Sequence, residues 1–266
     1  MRVLLAVLTF LWAGMLLSED TVFVNYDQSA LCPAKDQIRY SLFAKGEYGI
    51  SDKITLRVHP ILFFVAPSID IKYNFYENDN IIISSVHSIT YPTLLLYLIK
   101  NKGTGGIISP EFEIPHMFSI ANGLVTTYKL SDYHWISGSV SLAFALNNNR
   151  LEPGTSIDLP VILPRTMVYY KNLGLFVNFI SEGKVSSVFD YHLASELSLF
   201  PLEDDEFDYE YQESSNNIFW ELTGTGFIKF SKTFKLGVGG ILCYGTYPFG
   251  SQWHLLPCID FVKIIE

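Results

Sequence analysis

The stretch His134–Asn147, HWISGSVSLAFALN, separates into two chemically different faces when every second residue is taken. One face carries Ile136, Gly138, Val140, Leu142, Phe144 and Leu146. The other carries Trp135, Ser137, Ser139, Ser141, Ala143 and Ala145. A period of two predicts a β-strand, and a soluble half-buried strand usually has large charged residues on its polar face. The small residues suit the crowded interior of a barrel and the apolar face suits lipid, so we expect the apolar face to point outward.

The composition narrows the class of protein. The chain has 266 residues, of which 49% are hydrophobic and 17% charged, and this is too apolar for a disordered protein. Its net charge of -9 argues against a nucleic-acid partner, because phosphate backbones attract basic surfaces. Beyond the N-terminus, no apolar run approaches the roughly 18 to 20 residues that a membrane-spanning helix needs. The apolar residues alternate with polar ones instead, which predicts an all-β protein.

The N-terminal stretch MRVLLAVLTFLWAGMLLSED has the layout of a secretory signal peptide. Arg2 precedes an apolar core, Val3–Leu17, which is followed by Ser18 and two acidic residues. The core is short for a membrane span, and acidic residues rather than a basic stop-transfer cluster follow it. We therefore predict a cleaved signal peptide over residues 1–18 and a single exported domain over residues 19–266.

One kind of tight turn recurs along the chain, with an apolar residue, a serine and a charged residue in a row. It occurs at Ile50-Ser51-Asp52, Leu130-Ser131-Asp132, Ile180-Ser181-Glu182 and Phe230-Ser231-Lys232. Longer connections near 92–113, 148–164 and 201–215 alternate with these turns. Short turns at one end and long loops at the other are typical of an up-and-down transmembrane β-barrel.

Counting strands between these connections gives about twelve, within a range of ten to fourteen. The predicted strands are 21–28, 38–49, 53–63, 67–76, 80–91, 114–129, 134–147, 165–180, 185–200, 216–229, 233–246 and 251–264. The fold class predicted from this count is a single antiparallel barrel. Both termini then lie at the end of the barrel that carries the tight turns.

Segments such as YGISDKITLRV at 48–58 and FSKTFKLGVGG at 230–240 complete a pattern of alternating strands joined by tight turns. At the level of class, this pattern resembles the outer-membrane β-barrel proteins of diderm bacteria. The resemblance covers most of the exported domain and names no particular family. It implies a location in the bacterial outer membrane, contact with outer-membrane lipid, and insertion by the barrel assembly machinery.

Charged residues collect on the face opposite the apolar one, and we predict that a set of them lines the lumen. The set is Arg57, His59, Asp70, Lys72, Asp190, His192, Glu196, Lys229, Lys235, His254 and Asp260. Twelve strands enclose a lumen wider than that of eight-stranded barrels and narrower than that of sixteen-stranded porins. We therefore predict a structural or narrow-pore transport role, with a small solute or a cation as the possible passenger.

Two alternatives remain open at this point. Asp190, His192 and Glu196 lie on one face of one strand, which is compatible with a barrel-borne hydrolase, although paired interior charges are the more common role. A soluble secreted β-sandwich that binds a ligand is the second alternative. The sequence has no metal, nucleotide or serine-hydrolase motif, so we predict no cofactor.

Two further features carry weaker signals. The stretch 203–213 has seven carboxylates in eleven residues and is predicted to be a solvated outer loop that binds divalent cations loosely. Cys243 and Cys258 fall on the last two predicted strands, where either a disulfide or two buried thiols is possible.

Overall fold

The sheet closes on itself. In the computed structural model, which describes residues 28–41, 44–100, 108–149, 151, 159–201, 218–247 and 250–265, twelve antiparallel strands form a closed barrel. The strands are β1 (Ile38–Ser41), β2 (Gly46–Ser51), β3 (Ile54–Val58), β4 (Ser68–Glu77), β5 (Ile81–Thr90), β6 (Met117–Ser131), β7 (His134–Asn147), β8 (Leu173–Lys184), β9 (Phe189–Leu199), β10 (Ile218–Ser231), β11 (Phe234–Tyr247) and β12 (Gly250–Ile265). Each strand pairs with its neighbours in sequence, and β1 pairs with β12. The predicted up-and-down barrel is confirmed, and the β-sandwich alternative is wrong.

The outer wall of the barrel is apolar and the inner wall is polar. On β7, Val140 is 52% exposed on the outside, whereas Ala143 and Ala145 are buried inside. On β4, Ile71 is exposed and Lys72 is fully buried. A soluble barrel has the opposite arrangement, because its apolar side chains leave water together in the interior. The sidedness predicted from His134–Asn147 is therefore the sidedness of the structure.

The helices lie in the connections between strands. They are α1 (Thr93–Ile99), α2 (Leu163–Lys171) and a 3-10 helix, Leu62–Phe64, within the described part of the chain. Thr93 anchors α1, because its Oγ1 accepts a 3.0 Å hydrogen bond from the N–H of Met117 at the start of β6. No helix among the described residues is long and apolar enough to cross a membrane.

The beginning of the barrel differs from the sequence prediction. The interval 38–49 is predicted as one strand, but it contains two, β1 and β2, joined across residues 42–45. Arg39 and Glu47 face each other across this hairpin and form a 3.2 Å ion pair, which favours the turn over a straight strand. The predicted strand 21–28 lies outside the described residues except for Gln28, which is in a turn. The count of twelve is confirmed with a different first pair of strands.

The predicted strand 53–63 is also too long. β3 ends at Val58, because Pro60 has no N–H and cannot continue the ladder of hydrogen bonds. The imidazole Nδ1 of His59 instead accepts the N–H of Leu62 at 3.1 Å and supports the 3-10 helix that follows.

The predicted strand 165–180 is wrong in its first half, where α2 precedes β8. β8 also continues to Lys184, so Ile180-Ser181-Glu182 lies within the strand and not at the predicted tight turn. Pro164 stands in the first turn of α2, where its fixed φ favours a helix and its missing N–H costs nothing. Asn172 ends the helix in the left-handed conformation, with φ of 59°. The chain then turns directly into β8.

Residues 28–37, here called the N-terminal segment, lie at the tight-turn end of the barrel, with Ser29 and Ala30 buried in the lumen and residues 34–36 exposed. The N–H of Ala30 donates a 2.8 Å hydrogen bond to Oγ1 of Thr127, and the hydroxyl of Ser84 donates to the carbonyl of Ala30. The ammonium of Lys72 donates to the carbonyl of Ser29 at 3.2 Å. These bonds tie the backbone of the segment to the inner faces of β4, β5 and β6.

Gly49 on β2 makes room for the N-terminal segment. A Cβ atom at this position would lie 2.1 Å from the carbonyl oxygen of Ala34, so any larger residue collides with the segment. The N–H of Asp36 also donates a 2.8 Å hydrogen bond to the carbonyl of Gly49. The glycine is therefore required by close approach of backbone to backbone.

Some predicted features fall outside the described residues. These are the signal peptide at 1–18, the acidic stretch 203–213, and parts of the loops near 92–113, 148–164 and 201–215.

Candidate functional site

The lumen contains a cavity of about 880 Å³ between the N-terminal segment and α2. Its charged or titratable lining residues are Lys45, Arg57, His59, Asp70, Arg165, Glu196, Glu221 and Cys258. Small residues on β7, Ser139 and Ser141, line another part of its wall. The small face of HWISGSVSLAFALN therefore leaves the space that this cavity occupies.

Arg165 on α2 faces two carboxylates of the barrel wall. One of its terminal nitrogens lies 3.4 Å from a carboxylate oxygen of Glu221 on β10 and 3.9 Å from one of Glu196 on β9. Burial lowers the pKa of the Arg165 guanidinium, but Glu221 and Glu196 outweigh burial and raise that pKa above its ordinary value. The helix therefore holds a permanent positive charge beside two acids.

The position of α2 is fixed by Tyr169. Its hydroxyl lies 2.8 Å from the hydroxyl of Ser119 on β6, and its carbonyl accepts a 2.7 Å hydrogen bond from the side-chain amide of Asn147. Burial raises the pKa of the Tyr169 phenol to about 12, so it remains a neutral hydrogen-bonding group. The helix also packs on the inner-face residues Ala143 and Ala145 of β7. These contacts hold Arg165 in the lumen.

A second charged group lies on the opposite wall, six strands away around the ring of twelve. Asp70 on β4 accepts from two cations, Lys45 and Arg57, each at 2.6 Å. His59 follows β3 at the same side of the cavity. The cavity thus has one wall with two cations around an acid and another with two acids around a cation.

Other predicted lumen residues are packed below the cavity, nearer the tight turns. Lys72 lies 3.3 Å from Glu47, and Lys229 lies 3.0 Å from Asp190, with all four side chains almost completely buried. The ammonium of Lys235 lies 4.2 Å from the centre of the Phe227 ring. The Lys72–Glu47 and Lys229–Asp190 pairs neutralise their charges in the lumen, and none of these groups lines the cavity.

The remaining candidates have separate surroundings. His192 lies 3.3 Å from Glu182 on β8, whereas Asp190 pairs with Lys229 and Glu196 lies near Arg165. The ion-pair partners of Asp190, His192 and Glu196 thus differ, and the hydrolase alternative stays a prediction.

The last strand carries two more of the predicted lumen residues. Asp260 accepts a 2.8 Å hydrogen bond from the hydroxyl of Ser41, and His254 packs edge-on against Tyr247. Cys243 and Cys258 are both free thiols, since they stand opposite His254 and Gly239 in the register of β11 and β12.

Sequence reasoning missed Arg165 and the N-terminal segment. Arg165 falls within the strand predicted over 165–180, although Pro164 at the start and Asn172 at the end of this stretch indicate a helix. The segment carries no periodic pattern, because its backbone rather than its side chains makes the contacts. Gly49 on the neighbouring strand was the available signal for a close approach.

No family model matches the sequence, and no curated protein matches it. Among solved structures, an outer membrane channel from Pseudomonas putida F1 is similar with a TM-score of 0.55 at 10% identity, over 92% of this chain and 100% of that chain. A bacterial polysaccharide outer membrane secretin gives 0.45 at 11% identity, over 86% and 70% of the two chains. The outer membrane channel DcaP of Acinetobacter baumannii gives 0.40 at 12% identity, over 93% and 68%. The first of these similarities shows that the chain shares the fold of an outer membrane channel.

Proposed function

We propose that the protein is a narrow channel of the bacterial outer membrane for small polar solutes or cations. The observation that carries this proposal is the cavity of about 880 Å³ in the lumen, lined by charged side chains of both signs. Interior side chains that are polar and accessible are what a water-filled passage requires, whereas a purely structural barrel can fill its interior.

The location in the outer membrane is supported by the outer wall. Its exposed Ile, Leu, Val and Phe side chains match the hydrocarbon of a bilayer, and bacterial barrels of this kind have short periplasmic turns. We accordingly place the tight turns and the N-terminal segment at the periplasmic end. Export by the N-terminal signal peptide and insertion by the barrel assembly machinery belong to the same proposal.

The channel is narrow because two elements enter the lumen. α2 reaches inward from the long connection between β7 and β8, and the N-terminal segment fills the tight-turn end. At α2, two carboxylates face one guanidinium, so the local charge favours cations. We expect a small, cation-preferring conductance.

Planar-bilayer recording with purified protein tests this proposal. Arg165→Gln removes the positive charge beside Glu196 and Glu221, so the reversal potential in a salt gradient should shift further toward cation selectivity. Lys53→Gln, which removes the same charge from an exposed turn, is the matched control and should leave selectivity unchanged. The absence of any channel current, or an anion-preferring pore that Arg165→Gln does not alter, would contradict the proposed function.

A further inference from the structure

On one side of the barrel, the strands are short and the wall extends less far along the barrel axis. β1, β2 and β3 have four, six and five residues, whereas β12 has sixteen. A strand that crosses the hydrocarbon core of a bilayer needs about 9 to 11 residues. These three neighbouring strands are therefore too short to close the wall over the full thickness of a membrane.

The low side begins at a step between β12 and β1. Among the described residues, β11 pairs with β12 from Gly250 to Lys263, whereas β1 pairs with β12 over Val262–Ile265. The edge of β12 that faces β1 therefore has residues from Gly250 to Phe261 with which β1 does not pair. We use the term seam for the Gly250–Phe261 edge of β12 together with the space beyond the ends of β1, β2 and β3 that point away from the tight turns. An open sheet edge is tolerated at membrane depth where it lines a cavity and not where it meets lipid directly.

Apolar side chains border the seam on both sides. Leu255 on β12 is 76% exposed, and Phe64 in the 3-10 helix after β3 is 80% exposed. Leu62 and Ile259 stand next to them and also contribute to the lining of the lumen cavity. The cavity therefore reaches the seam, and its borders there suit a hydrocarbon chain.

A cation lies at the inner side of the seam. Lys45, in the turn between β1 and β2, lies 2.6 Å from Asp70 and 2.9 Å from the hydroxyl of Ser68, and about a quarter of its side chain stays accessible. Arg57 reaches the same carboxylate from β3. Positive charge next to an apolar border matches a molecule with an anionic head and an apolar tail.

We propose that the seam is a lateral opening of the lumen, and that it binds a single-chain anionic amphiphile. The head group lies beside Lys45 in the cavity, and the chain leaves the barrel between β12 and the 3-10 helix into the bilayer. This inference goes beyond the proposed channel for small polar solutes or cations, because it assigns a second class of ligand to the lumen. A long-chain carboxylate is the simplest molecule of this class.

The test uses the whole protein in phosphatidylcholine nanodiscs at pH 8.5, where a carboxylic acid is ionised. An eleven-carbon carboxylate with a terminal diazirine is photolysed, and the labelled residues are mapped by mass spectrometry. Saturable labelling is expected at the borders of the seam, around Leu62 and Leu255, with competition by dodecanoate. Leu142, on the opposite wall, should show weak labelling that rises linearly with probe concentration.

Variants of the cation separate head-group recognition from simple partitioning of the chain. Lys45→Gln should raise the half-saturating concentration of the carboxylate about tenfold, because a charge-assisted contact is lost. Lys45→Arg should retain binding, and Lys53→Gln should behave as the wild type. An alcohol or a trimethylammonium probe of the same length should label the seam without saturation.

Uniform labelling around the barrel, or equal saturation by the carboxylate and the alcohol, would overturn the inference. An unchanged half-saturating concentration in Lys45→Gln would overturn it as well. Channel currents recorded in planar bilayers from the same purified protein keep the two proposals distinct. Currents without seam labelling refute the lateral opening, whereas seam labelling without currents refutes the channel.

Discussion

At the scale of single residues, the interior of the barrel depends on pairs of opposite charge. Asp190 and Lys229 are 3.0 Å apart, and their side chains are 3% and 1% exposed. Water cannot solvate either group at this depth, so each charge is stabilised by the opposite charge of its partner. Removing one member of a buried pair is costly because it leaves the other charge uncompensated.

Asp190→Ala should therefore lower the free energy of unfolding by about 3 to 5 kcal/mol. Urea-induced unfolding in lipid vesicles measures this difference. Asp132→Ala is the matched control, because Asp132 pairs with Lys129 at 2.8 Å in an exposed turn, where such pairs contribute about 1 kcal/mol or less. If both variants lose the same small amount of unfolding free energy, the interior charges are not buried away from water, and this account is contradicted.

On the outer face of β7, the introduction of a charge is expected to destabilise the barrel. Leu142 lies near the middle of β7 on the outer face, where the proposal places the centre of the bilayer. Leu142→Arg should destabilise the inserted barrel by about 2 to 4 kcal/mol, as measured by unfolding from vesicles. Leu130→Arg, at the end of β6, should cost about 0 to 1 kcal/mol because arginine there reaches the interface. Equal tolerance of both substitutions would contradict a lipid-facing outer wall.

At the scale of elements, the N-terminal segment closes the tight-turn end of the lumen. Its position depends on Gly49, where a side chain would meet the carbonyl of Ala34. Gly49→Val should displace the segment and raise the conductance in planar bilayers. Gly138→Val is the control, because the nearest atom to a Cβ there is the carbonyl oxygen of Asn178 at 3.9 Å. An unchanged conductance in Gly49→Val, with the barrel still folded, would show that the segment does not obstruct the lumen.

The elements also show what sequence patterns predict well. Long strands such as β7 were predicted with the right bounds, because alternation over fourteen residues is unambiguous. The stretch that forms β1 and β2 has the pattern of a single strand, because these strands have four and six residues and their turn lacks the recurring serine motif. Most of α2 falls within the strand predicted over 165–180, because a helix of nine residues shows its period of 3.6 only about two and a half times.

The candidate site could be predicted only in part, because the sequence pattern specifies the face of a strand but not the depth of a residue in the barrel. The alternation of apolar and polar residues along a strand predicts the face on which each residue lies. It correctly predicts that Arg57, Asp70 and Glu196 lie on the polar face of their strands. Depth in the barrel depends on register, which alternation does not specify. The sequence therefore did not separate the residues around the cavity from pairs such as Asp190 and Lys229 below it. It also did not show that Arg165 approaches Glu221 from a loop.

At the scale of the whole molecule, the account depends on which side of the sheet meets lipid. The structure has polar side chains inside a closed barrel and apolar side chains outside it. This arrangement is stable where the outside is hydrocarbon, because in water the exposed Ile, Leu, Val and Phe side chains would drive association. The proposed location, the channel and the lateral opening all require it.

Site-directed spin labelling along β7 tests this claim most directly. The three native cysteines are replaced by serine, single labels are placed at positions 139 to 142, and their accessibility to a water-soluble nickel complex and to oxygen is measured in lipid vesicles. We predict that labels at 139 and 141 are accessible to nickel, because Ser139 and Ser141 are on the inner face of β7. Labels at 140 and 142 should be accessible to oxygen, because Val140 and Leu142 are exposed on the outer face. Nickel accessibility at 140 and 142 with protection at 139 and 141 would contradict the account.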